Sequence, residues 1–169
     1  MSFRVSPSGW IDGLSLKKQR CSLGHGGVVE ALKKREGDGC SPVGVWPLRQ
    51  VLYRPDRLAQ PQTLLPISPL APNDGWCDAP RDPSYNLPVR LPFTSSAERL
   101  WRDDHAYDII VVLGFNDDPV RAGAGSCIFW HIMQPDGRPT QGCVAVTLGC
   151  MLEALAALTP SDTMAILLD

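Results

Sequence analysis

The sequence has no long apolar run, little net charge and no paired-cysteine spacing, and each absence excludes something. Residues Met1 to Ser8 hold no apolar stretch of signal-peptide length, and no segment approaches the ~18 consecutive apolar residues of a membrane span. The chain itself therefore gives no support for a leader or a membrane anchor. A formal charge of −2, from 16 basic and 18 acidic residues, offers no electrostatic basis for binding nucleic acid or an anionic membrane. The six cysteines (Cys21, Cys40, Cys77, Cys127, Cys143 and Cys150) show no CxxC spacing and are too widely spread for a small disulfide scaffold. Zinc-ligand spacing is missing too, so neither a metal nor another cofactor is expected.

What is present suits one folded domain spanning residues 1–169. A chain of this length buries roughly two-thirds of its unfolded surface, and 44% hydrophobic against 20% charged residues excludes a disordered chain. Sixteen prolines and fifteen glycines cut it into short elements, which favours strands and turns over a helical bundle. Trp10 to Arg20 and Cys21 to Val29 read as short strands and turns, and Arg49 to Tyr53 as a strand. Pro55 to Tyr85 reads as mostly loop, pinned to the body by Trp76 and Trp101. Tyr107 to Phe115 is a nearly continuous apolar run with β-branched residues, expected to be a central strand covered on both faces. Thr147 is the expected N-cap of a helix whose apolar positions Leu148, Met151, Leu152, Leu155 and Leu158 precede Pro160. Thr163 to Leu168 closes the chain as a strand. The expected fold is mainly β, two sheets with one clear helix packed against them.

Chemistry concentrates in Ser126 to Val144. Alternation along a strand from Ser126 to Met133 puts Cys127, Phe129, His131 and Met133 on one face. His131 and Cys143 lie 12 positions apart, and the Asp136-Gly137 turn between them can fold the chain back to bring the two side chains together. An imidazole beside a thiol can take its proton and lower its pKa from near ~8.5 toward neutrality, making a thiolate nucleophile. His131 is the expected base and Cys143 the expected single reactive thiol of the six; His25 and His105 are expected to be dispensable. Backbone N–H groups around Gly142 and Cys143 are candidates for holding an oxyanion. Thr140 supplies either a further hydrogen bond or the shape of the loop.

The order of these features, a strand histidine followed by Thr140-Gln141-Gly142-Cys143, with Ser41-Pro42-Val43-Gly44-Val45-Trp46 far upstream, resembles the L,D-transpeptidase (YkuD-type) catalytic domain. Lys34-Arg35-Glu36-Gly37-Asp38-Gly39 and Tyr85-Asn86 are similar to motifs of its compact single-domain members, and the resemblance runs from about Cys21 to Leu168. It implies a two-sheet fold and peptidoglycan stem peptides as partners. It also implies cell-wall biogenesis through a thioester acyl-enzyme on Cys143, with a backbone carbonyl orienting His131. The family works in the cell envelope, although the chain itself shows no leader, so a cytoplasmic location stays open. Two positions depart from the family pattern: Gln141 stands where the motif has histidine, and Ala145 where arginine or asparagine is common. Both remove charged or ionisable groups near the cysteine, so weak discrimination among acyl acceptors is expected. A thiol hydrolase using water, and a peptide-binding protein with an idle site, stay open as alternatives. A papain-like protease fits worse, because there the cysteine precedes the histidine.

Overall fold

The computed structural model describes residues 2–14 and 16–169. Met1 and Ser15, the latter inside the Trp10 to Arg20 stretch, lie outside the described residues. The strands are β1 (Ser2–Ser6), β2 (Trp10–Gly13), β3 (Leu16–Arg20), β4 (Val28–Glu30), β5 (Ser41–Tyr53), β6 (Ile67–Pro69), β7 (Asp74–Cys77), β8 (Pro88–Arg90), β9 (Ala97–Arg99), β10 (Ile109–Leu113), β11 (Phe129–Ile132), β12 (Val144–Val146) and β13 (Thr163–Ile166); the helix is α1 (Leu148–Ala157). They form a ten-stranded sheet in the order β12-β11-β10-β5-β13-β1-β2-β3, with β4 and β6 also on β5, and a three-stranded sheet β8-β7-β9. The described residues are thus mainly β, with two sheets and a single helix. Among the described residues no helix is long and apolar enough to cross a membrane.

β10 is central, paired on one side with β5 and on the other with β11, and all five of its residues are buried. Both faces are covered because the sheet lies between two apolar layers. Ile109 and Val111 join Trp130, Ile132, Met151 and Leu155 in the larger core under α1. Ile110 and Val112 join Phe129, Trp76, Cys127 and Cys143 in a second cluster beneath the small sheet, where Trp76 meets Phe129 edge-on at 5.2 Å. Trp76 therefore pins the long loop, and Trp101 does so beneath the Arg54 guanidinium, 3.8 Å away.

Three local expectations are revised. β5 begins at Ser41, eight residues before the expected strand, because Ser41-Pro42-Val43-Gly44 runs extended beside β4 and β13. The strand from Ser126 shortens to Phe129–Ile132, although alternation holds, with Ile128, Trp130 and Ile132 in the larger core and Cys127 and Phe129 in the smaller. Thr147 caps α1 by accepting from Cys150 N–H, yet Leu148 and Leu152 are 44% and 39% exposed. The buried stripe is centred on Met151, Ala154, Leu155 and Leu158, and those two leucines lie round the cylinder from it.

Candidate active site

β11 and β12 pair in parallel, with Trp130 opposite Val144 and His131 opposite Ala145. The two-residue side-chain period then sends Cys143, one position before β12, to the face that carries Phe129 and His131. Cys143 and His131 both line one cleft of about 540 Å3. The Phe129 N–H donates to Cys143 Sγ at 3.4 Å, and the thiol donates to the Cys127 carbonyl at 3.1 Å. His131 Nδ1 lies 2.9 Å from the Ile132 carbonyl oxygen. A carbonyl can only accept, so the proton sits on Nδ1 and Nε2 is left as the basic nitrogen. Tyr107 packs edge-on against the imidazole at 5.2 Å and fixes the ring plane. Thiol and imidazole are not hydrogen-bonded to each other.

The parallel pairing changes how the Asp136-Gly137 segment acts. A turn is present, with Gly137 N–H donating to Gln134 O at 2.8 Å and Gly137 at φ 65°. Parallel strands cannot be joined by a tight hairpin, so the chain makes a longer crossing along residues 138–142. That crossing is held by Thr140, whose N–H donates to Leu23 O and whose carbonyl accepts from His25 N–H, both at 2.8 Å. Ser22 and Ala145 exchange backbone bonds of 2.8 and 2.9 Å on the outer edge of β12. The Thr140 hydroxyl accepts from Gly142 N–H at 3.1 Å and donates to Cys143 O at 2.7 Å, so it shapes the loop. Gly142 has φ 129°, and a Cβ there would meet Cys40 O at 2.8 Å, so only glycine fits. Gln141 is exposed at the cleft rim and accepts from His25 Nε2 at 3.2 Å. Ser41 is fully buried, accepts from Gly24 N–H at 3.0 Å and donates to Cys143 O at 3.5 Å. The upstream motif thereby reaches the backbone of Cys143.

Electrostatics run against the expected ion pair. Burial pushes the Cys143 thiol up to about 12, with the Glu98 carboxylate adding to the rise and the Phe129 N–H opposing it. Burial pulls His131 down to about 4, partly offset by its bond to Ile132. An enclosed site disfavours both charged forms, so at neutral pH the resting pair is a neutral thiol beside a neutral imidazole. Among the six thiols Cys40 alone is not buried.

The remaining motifs brace the loop before β11. Glu36 Oε2 accepts from Tyr85 and from Ser126 Oγ, the latter at 2.7 Å, while Tyr85 Oη accepts from Gly125 N–H at 3.0 Å. Buried Asn86 accepts from Trp76 Nε1 at 3.0 Å and Cys127 N–H at 3.1 Å, and donates to Phe115 O and Asn116 O. Cys127 is held at φ 54°, a region few non-glycine residues adopt, and this aims its carbonyl at Cys143. Asn86 (φ 57°) is itself left-handed, which asparagine tolerates better than most residues. Asn86→Ala leaves three buried groups and the part-buried Asn116 carbonyl without this partner, and is expected to cost about 3 kcal/mol. A thermal melt should show a midpoint lower by roughly 10 °C; an unchanged midpoint would refute the bracing role.

Sequence reasoning did not find the charged walls of the cleft. Lys34 and Glu36 come from the turn before β5, Asp78 and Glu98 from the small sheet, and Arg102 and Arg138 from the loops flanking β10 and β12. Gln141 and Ala145 bring no charge, but these neighbours do. No group of three or more metal-ligating side chains occurs among the described residues.

The chain matches the family model for YkuD, the L,D-transpeptidase catalytic domain, over residues 6–166. No curated protein and no solved structure matches it.

Proposed function

The chain belongs to the YkuD family of L,D-transpeptidase catalytic domains, and on that premise we propose that it is a cysteine acyltransferase acting on peptidoglycan stem peptides, with Cys143 as nucleophile and His131 as base. One observation carries the reading: Cys143 and His131 share a face of the parallel β11–β12 pair inside one cleft, with the Nδ1 bond leaving Nε2 as the base.

Donor peptide entering the cleft draws the thiol off the Cys127 carbonyl and toward Nε2. His131 takes the proton as sulfur attacks the amide carbonyl before the terminal D-alanine, then protonates the departing amine. Starting from a neutral pair, charge develops only as the bond forms, which keeps the resting thiol unreactive toward other electrophiles. Because Gly142 N–H is held by Thr140, we assign the developing oxyanion to the Cys143 N–H. With that substrate, we infer that the work is done in the cell envelope.

Stem tetrapeptide incubated with the protein and isotopically labelled D-methionine tests the reading by mass spectrometry. The expected result is release of D-alanine and incorporation of labelled D-methionine, with some hydrolysis to tripeptide. Exclusive tripeptide would indicate a hydrolase, and unaltered peptide with reduced Cys143 an idle site.

A further inference from the structure

The small sheet contributes two carboxyl groups to the cleft wall that the acylation step does not use. Glu98, on β9, pairs with Trp76 of β7, and Asp78 follows β7 directly. Both line the cleft with Cys143 and His131. Glu98 Oε1 accepts from Tyr107 Oη at 2.5 Å, and the Cys127 side chain faces the same carboxyl. Asp78 Oδ1 is buried with no hydrogen-bond partner. A buried carboxylate oxygen without a donor is costly, and in a cleft it is a seat for one.

Of the three cations on the cleft wall, Arg138 lies 4.0 Å from Asp136 at the exposed rim, and the other two are held by their own partners. Arg102 is clamped on Asp104 by bonds of 2.8 and 2.6 Å, and Lys34 is held by Asp38 at 2.5 Å and by Arg35 O at 2.9 Å. Among the described residues neither Glu98 nor Asp78 has an ion-pair partner. The groups facing Glu98 are Tyr107, Cys127, Asp78, Arg102 and Cys143. Desolvation raises the Glu98 pKa above the ordinary carboxylate range, the direction that turns a spectator carboxylate into a usable base.

We propose that Glu98, with Asp78, seats the ammonium group of a primary-amine acyl acceptor and takes its proton before the amine attacks the Cys143 thioester. The inference rests on the acyl-enzyme reading above. An α-amine or lysine-type amine is largely protonated at neutral pH, and an ammonium has no lone pair for attack. Glu98 accepts one proton, the amine nitrogen bonds to the acyl carbon, and the nitrogen's second proton passes through His131 to the departing sulfur. Thioester and ammonium thus yield amide, thiol and one proton, which Glu98 releases to solvent. Water needs no such seat, so the acidic wall sets the balance between transfer and hydrolysis.

The test accumulates acyl-enzyme from stem tetrapeptide, adds labelled D-methionine, and reads the transfer-to-hydrolysis ratio by mass spectrometry. The ratio is independent of how much acyl-enzyme forms. Glu98→Gln should lower it at least ~10-fold at pH 7.5, with recovery as pH rises toward the pKa of the amine, because the free amine then needs no base. Asp78→Asn, which removes no hydrogen bond made by the orphan oxygen, should lower it in the same direction. Ratios equal to wild type in both variants at every pH would overturn the proposal while leaving the acyl-enzyme reading standing. Failure of the wild-type protein to form any acyl-enzyme would overturn that reading and this proposal together.

Discussion

Cys143→Ser is expected to abolish acyl-enzyme formation, by more than ~10³-fold, while leaving the fold intact. Serine keeps a donor for the Cys127 carbonyl and an acceptor for the Phe129 N–H, the two bonds the thiol makes. Its hydroxyl is a much weaker nucleophile than a thiol given the same base. The probe matters as much as the variant. Cys143 is buried and held neutral by a pKa pushed up to about 12, so a general alkylating agent should mark half-buried Cys40 first. A carbapenem, a substrate-like acylating agent of the kind the family resemblance implies, should instead label Cys143 in the wild-type chain and nothing in Cys143→Ser. Peptide mapping after both treatments checks this. Carbapenem found on Cys40 or Cys77, with Cys143 bare, would remove Cys143 from the mechanism.

The parts legible in the sequence were those set by local pattern. The apolar run of β10, the alternation that places His131 and Phe129 opposite Trp130 and Ile132, and the Thr147 cap follow from periodicity and capping chemistry. Direction and burial were not legible. Asp136-Gly137 signals a reversal, but turn residues do not say where the chain goes next; here Thr140 bonds to Leu23 and His25, and the next strand enters parallel. That pairing involves a segment more than a hundred residues upstream, which no local window contains. The same holds for Ser41, whose hydroxyl reaches the carbonyl of Cys143.

The protonation state of the pair was hidden for a related reason. A histidine and a cysteine close in sequence suggest an ion pair when solvent is assumed to surround them. The small sheet and the Asn86-braced loop remove that solvent, and desolvation is the largest influence on both groups, against charge on either one. Asp78, just after β7, and Glu98, on β9, carry no sequence signal that would set them beside residue 143.

His131→Ala is the last expectation, and it has two separable readouts. Loss of the base should slow acylation by about 10²–10⁴-fold, with the thermal midpoint at pH 7 lower by only about 5 °C. The acid limb of stability should change as well. His131 has its folded pKa lowered from 6.5 to about 4, so between those values the unfolded chain takes up a proton that the folded chain refuses. Stability therefore falls as pH drops from 6.5 to about 4, by about 3 kcal/mol from this residue alone, and is insensitive to it outside that window. The alanine variant lacks the group, so its melting curve should depend less steeply on pH across that interval than the wild-type curve. Parallel curves would show that His131 is not held neutral by burial, and a near wild-type acylation rate would show that it is not the base.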